Sequence, residues 1–165
     1  DEVQRLFTEQ DETIRAIHEA NILHRDIKPG NLIYDGEKLV LIDWSIACSL
    51  LEDLLERELG IFYGTPSFVP FDGKRSRDFY ALGQTLLKTV LPKTDLSKAR
   101  NGYDDFIKFQ GKRLAYLSPK LGEFYLDLSN RESAHGEIAE YRRPPRDSSE
   151  KTTQVFNLSN LKSRD

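Results

Sequence analysis

The run His24-Arg25-Asp26-Ile27-Lys28-Pro29-Gly30-Asn31, followed twelve residues later by Asp43, constrains this chain more than any other feature. Ile22 and Leu23 lead into this charged loop. After it, Leu32-Ile33-Tyr34 and Leu39-Val40-Leu41-Ile42 read as short strands joined through Asp35-Gly36, a favoured turn pair. The charged loop and Asp43 therefore flank a small hairpin, and a hairpin holds such groups more rigidly than free loops would.

Two acidic groups, one amide and one lysine at this spacing suit the lower half of a phosphoryl-transfer site. Asp26 can accept a proton from a hydroxyl, and Lys28 can neutralise charge on the transferred phosphate. Asn31 and Asp43 offer oxygen donors for Mg²⁺ ions that bridge phosphates. The stretch HRDIKPGN resembles the catalytic loop of eukaryotic-type protein kinases almost residue for residue. Three further stretches follow in that family's order. Leu41-Ile42-Asp43-Trp44-Ser45 stands where kinases carry Asp-Phe-Gly. Gly64-Thr65-Pro66-Ser67-Phe68-Val69-Pro70 is similar to the end of an activation segment. Arg77-Asp78-Phe79-Tyr80-Ala81-Leu82-Gly83 is similar to the start of the buried helix beneath the catalytic loop.

The resemblance implies an α+β, mainly α fold: a protein-kinase-like C-terminal lobe with a small β-hairpin carrying the catalytic and metal-binding loops. The four stretches cover about residues 12–90, and residues 92–141 fit the remaining helices of that lobe by length and helical pattern, so the lobe is expected over 1–141. The polar, Pro-containing composition from Arg142 onward reads as a flexible tail over 142–165. The resemblance implies ATP and Mg²⁺ as cofactors, with Mn²⁺ as a possible substitute, and a serine/threonine class of acceptor on account of Lys28. By the same resemblance Asp26 is the catalytic carboxylate, Lys28 steadies the γ-phosphate, and Asn31 and Asp43 bind the metal. Thr65 would hydrogen-bond within the catalytic loop, Asp78 would brace the backbone of His24 and Arg25, and His24 would pack beneath the site in a structural role. Arg25 would receive a phosphate on the activation segment, with Tyr63 and Ser67 as candidate hydroxyls.

Some positions depart from the family pattern. Trp44 replaces the usual Phe, a change that the casein kinase 2 family shares, and Ser45 replaces Gly. Phe71-Asp72 stands where Pro-Glu is expected, so Asp72 with Arg131 is the candidate replacement for a missing Glu–Arg pair. Only 23 residues precede the loop, with no Gly-rich phosphate loop, no Val-Ala-Ile-Lys strand and no helix bearing the paired Glu. The chain alone is therefore expected to bind ATP weakly and turn over poorly. Two other readings stand beside a kinase catalytic lobe. One is a truncated pseudokinase acting as a binding or scaffold module. The other is a small-molecule phosphotransferase of the aminoglycoside or choline kinase type, which shares His-x-Asp-x₄-Asn and Ile-Asp-Trp.

Composition removes other classes. A net charge of −3 argues against a general nucleic-acid binder. Runs such as Leu39 to Ile42 are too short to cross a bilayer, and no signal segment opens the chain. The expected setting is cytoplasmic or nuclear, with a protein substrate, or a protein partner over the face that an N-lobe would cover. The lone Cys48 reads as a small apolar residue after a strand. The sequence has no methionine, so a chain beginning at Asp1 is expected to be an internal or processed piece.

Apolar spacing predicts a helix over residues 2–20, restarted at Asp11 as an N-cap, and helices over 50–59, 79–91, 104–116, 120–128 and 136–141. His18 and His135 read as surface or packing residues. The Arg142-Arg143-Pro144-Pro145-Arg146 cluster reads as a solvated basic patch, and Asn157-Leu158-Ser159 as a coincidental sequon.

Overall fold

Helix α1, Glu2–Glu19, turns Phe7, Gln10, Asp11 and Ile14 inward at three- and four-residue steps. The expected restart at Asp11 is absent, and the helix runs straight through it. An N-cap carboxylate accepts from the backbone N–H groups that follow it. Asp11 instead faces the core and accepts from Arg131 Nη1 at 2.5 Å and from Arg15 Nε at 3.3 Å. The computed structural model describes residues 2–133. The helix expected over 136–141, His135, the basic cluster and the sequon lie outside the described residues.

Beyond α1 the described residues form four short strands: β1 (Ile22–Leu23), β2 (Leu32–Tyr34), β3 (Leu39–Leu41) and β4 (Cys48–Ser49). They make two separate antiparallel pairs. Strands β2 and β3 form the expected hairpin, with Leu32 opposite Leu41 and Tyr34 opposite Leu39. Its turn is closed by Asp35, whose Oδ1 accepts from the N–H of Glu37 and of Lys38, and Gly36 supplies the positive φ of 105°. Strand β4 pairs with β1, Leu23 opposite Cys48. Cys48 therefore lies within a strand. At two residues, β1 and β4 show no alternation from which to infer them.

Helix α2, Leu50–Glu58, begins at a reciprocal cap. Ser49 Oγ accepts from Glu52 N, and the Glu52 carboxylate accepts from Ser49 N. Helix α3, Arg77–Val90, is the centre of the molecule: every residue from Arg77 to Leu87 is buried. It starts two residues before the expected Phe79 and ends ahead of Pro92. Helices α4, Tyr103–Leu117, and α5, Pro119–Asn130, pack on each other, and α5 packs on α3. Gly83 faces α5 closely: a Cβ there would stand 2.5 Å from Ser129 Oγ, so a larger residue would have to displace that hydroxyl.

The main core joins Phe7, Ile14 and Ile27 to the α3 leucines and to Ile107, Leu114, Tyr125 and Leu128. A smaller cluster, Phe62, Val69 and Phe71, sits apart, with Tyr103 against it. Arg131 ties the far end of the described chain to α1. It bonds Asp11, pairs with Asp127 and lies 4.1 Å from the centre of the Phe79 ring. The expected pairing of Asp72 with Arg131 is thus overturned: Asp72 pairs with Arg75, three residues away. Asp11 has already claimed the Arg131 guanidinium.

Candidate active site

The charged loop runs between β1 and β2, closing with a 3₁₀ turn at Pro29–Asn31. Its anchor is Asp78 in the first turn of α3, fully buried. Asp78 Oδ2 accepts from His24 N at 2.8 Å, and Oδ1 from Arg25 N at 2.9 Å. His18 Nε2 is 2.9 Å from Oδ2. Burial alone would raise the Asp78 carboxyl. The His18 hydrogen bond and charge, with the two backbone donors, outweigh burial and hold it below its usual value. The loop is bent sharply here, Arg25 having φ 72°. That left-handed conformation is costly for a non-glycine residue, and Asp78 maintains it through the Arg25 N–H.

His24 is fully enclosed. Its Nδ1 accepts from Asp26 N at 3.2 Å, so Nε2 carries the proton and donates to Ile42 O at 3.0 Å. The imidazole thus spans from the charged loop to the residue before Asp43, with Trp44 edge-on at 4.7 Å. A ring with both nitrogens committed in this way orients backbone.

Asp26 is 5% exposed. Its Oδ1 accepts from Thr65 Oγ1 at 2.7 Å, and its Oδ2 from Asn31 Nδ2 at 3.1 Å, with Lys28 Nζ at 3.2 Å. Lys28 Nζ also donates to Thr65 Oγ1 at 3.0 Å. Thr65 reaches this group because Gly64 lets the chain pass over the loop. At φ 113°, a Gly64 Cβ would sit 2.6 Å from Arg25 O. Asn31 directs its amide nitrogen to Asp26 O, at 2.8 Å, as well as to Oδ2, which leaves Oδ1 as its outward acceptor.

Asp43 stands at the end of the hairpin, exposed, with φ 60°. Ile42 N donates to Asn31 O at 2.9 Å, which brings the Asp43 strand beside the charged loop. Ser45 Oγ donates to Asp43 Oδ1 at 2.6 Å, and this bond lowers the carboxyl from its usual range. The oxygens of Asn31 and Asp43 are hard donors of the kind Mg²⁺ prefers.

Arg25 lies elsewhere. Its guanidinium is buried between Ile46 O, which accepts from Nε at 2.6 Å, and the carboxylate of Glu56, with Tyr63 over its face at 4.8 Å. Ser67 sits in the 3₁₀ turn Pro66–Phe68. His18, Asp53 and Glu56 contribute polar contacts that were not assigned from the sequence. For Asp53 and Glu56 the one local signal is their spacing with Arg57 on a helix opened by a capping box. Cys48, Asp53 and Glu56 bring ligand atoms within 4.8 Å of one another. A guanidinium faces both carboxylates, and burial pushes the Cys48 thiol up to about 11, so this trio suits a cation of the chain itself better than a metal.

A mainly helical α+β fold that gathers Asp, Lys, Asn and Thr around one loop defines a protein-kinase type of domain. The family described as protein kinase domain matches residues 1–133, and the chain belongs to it. It is 27% identical to mitogen-activated protein kinase kinase kinase 8 of Rattus norvegicus over 65% of the chain and 24% of that protein. It is 28% identical to the interferon-induced, double-stranded RNA-activated protein kinase of the same species over 85% of the chain and 30% of that protein. Serine/threonine-protein kinase PknD of Chlamydia pneumoniae is 32% identical over 47% of the chain and 11% of its own length. The chain thus spans less than a third of each of these relatives.

Proposed function

We propose that this chain is the C-terminal catalytic lobe, residues 1–141, of an ATP-dependent serine/threonine protein kinase. The observation that carries this reading is the Asp26 carboxylate, held between Thr65 Oγ1, Lys28 Nζ and Asn31 Nδ2. Such a carboxylate accepts the proton of a serine or threonine hydroxyl as that oxygen bonds to the γ-phosphorus and ADP departs. Lys28 balances the charge that develops on the transferred group. Asn31 and Asp43 would hold Mg²⁺, or Mn²⁺, which neutralises the phosphates when bound. Ile33 and Val40, directly opposed on the hairpin, and Trp44 are 51%, 37% and 42% exposed. That apolar surface favours cover by an N-lobe or a protein partner.

The test is phosphotransfer from ATP to a protein acceptor by the protein that carries this chain. Asp26→Asn should lower kcat by about 10²- to 10⁴-fold with the fold intact by circular dichroism. Unchanged turnover in that variant would remove the catalytic reading. If the wild type transfers nothing, the exposed hairpin face favours a binding module whose partner covers Ile33 and Trp44.

A further inference from the structure

The anion facing Arg25 is already part of the chain. Arg25 is 5% exposed, and its Nη1 bonds the Glu56 carboxylate and lies 3.7 Å from Asp53 Oδ1. Asp53 is 1% exposed and is the hub of the cluster. Its Oδ2 accepts from Arg57 Nε at 2.7 Å, and its Oδ1 from Arg77 Nη1 at 3.2 Å. Arg77, at the start of α3, also donates from Nη2 to Arg25 O at 3.2 Å. Two carboxylates from α2 therefore meet three guanidiniums drawn from the charged loop, α2 itself and α3. The network is closed by rings, Tyr63 over Arg25 and Phe62 over Arg77.

A buried guanidinium without an anion is strongly unfavourable. Arg25 adjoins Asp26, so whatever neutralises Arg25 also fixes the backbone that aims the Asp26 carboxylate. We propose that Asp53 and Glu56 are positioning residues that supply this anion from within the chain. On this basis the loop is ordered without a phosphate on Tyr63 or Ser67. The catalytic consequence rests on the reading of Asp26 above, whereas the clamp itself is a structural statement that can be tested separately.

Hydrogen exchange of the whole 165-residue chain tests it. Glu56→Gln preserves size and removes charge, and Glu56→Ala also opens the space in front of Arg25. In both variants, amides of residues 24–31 and 50–58 should exchange at least about ten-fold faster, while those of α5 stay unchanged. Inorganic phosphate, compared with chloride at equal ionic strength, should slow exchange in Glu56→Ala toward wild type and do little to wild type. Tyr63→Phe with Ser67→Ala should leave exchange as it was. Unaltered exchange in both Glu56 variants, or equal phosphate effects on wild type and Glu56→Ala, would overturn the proposal. Exchange changes in a protein that transfers no phosphate would sustain the clamp and count only against the kinase reading.

Discussion

At the scale of single residues, Asp78 joins α3 to the end of α1 and to the charged loop, both more than fifty residues upstream. Its two oxygens serve the N–H groups of His24 and Arg25 and the ring of His18, sixty residues upstream. Asp78→Ala strips acceptors from buried donors, each worth about 1–3 kcal/mol when left unpaired, so urea denaturation should show a loss of at least about 3 kcal/mol. The pH dependence has a definite sign. The folded-state carboxyl lies below its usual 3.8, so its stabilisation is complete above that value and is lost as pH falls through the depressed one. The stability difference between wild type and Asp78→Asn should therefore shrink as pH falls below about 4. A gap that stayed constant down to pH 2 would show that the carboxylate charge plays no part. Asp78 could be anticipated because it sits in a recognisable stretch next to buried-helix residues. Its partner His18 could not, since a histidine on an amphipathic helix carries no local sign of what it meets.

Among elements, α2 has the plainest local code and the least apolar support. Leu51, Leu55 and Leu59 are 62%, 49% and 48% exposed, so one apolar stripe of the helix faces outward while Asp53 and Arg57 face inward. Its definition therefore leans on the Ser49–Glu52 cap and on the arginine cluster. Ser49→Ala should cost about 1 kcal/mol in the midpoint of thermal or urea unfolding. The same substitution at exposed Ser97, outside any α-helix, should cost less, and equal losses would count against the cap. The span of α2 was close to legible because leucines recur at helical steps, and so was the hairpin, because Asp35-Gly36 separates two apolar runs. The inward turn of its charges was not legible, because amphipathic patterning assigns charge to solvent unless partners are known. For the same reason Asp11 resembled a cap. Its actual partner, Arg131, is 120 residues away.

Over the whole molecule, burial is uneven, and stability should follow it. The apolar core runs through α1, α3, α4 and α5, with Leu82, Leu86 and Leu87 of α3 wholly buried. The segment from Asp43 to Phe71, which brings Thr65 to Asp26, rests on the small Phe62–Val69–Phe71 cluster, on ion pairs and on the two-residue β1–β4 pairing, with Phe68 its partly buried contact to the main core. Buried ion pairs add little net stability, because desolvation offsets their attraction, whereas apolar burial contributes about 25 cal/mol per Å². The four family stretches gave the order of the elements. They gave no information on which elements share a cooperative unit, since that depends on contacts between distant residues. The chain should therefore open in two stages. In native-state hydrogen exchange, amides of α2 and residues 61–71 should exchange through an opening with a shallow urea dependence, while the α3 leucines exchange only on global unfolding. Identical free energies and urea slopes for the two sets would show one cooperative unit and place the weight of the arginine cluster on par with the core. A lower value for the first set would mean that the part carrying Thr65 can move without disturbing the helix that carries Asp78.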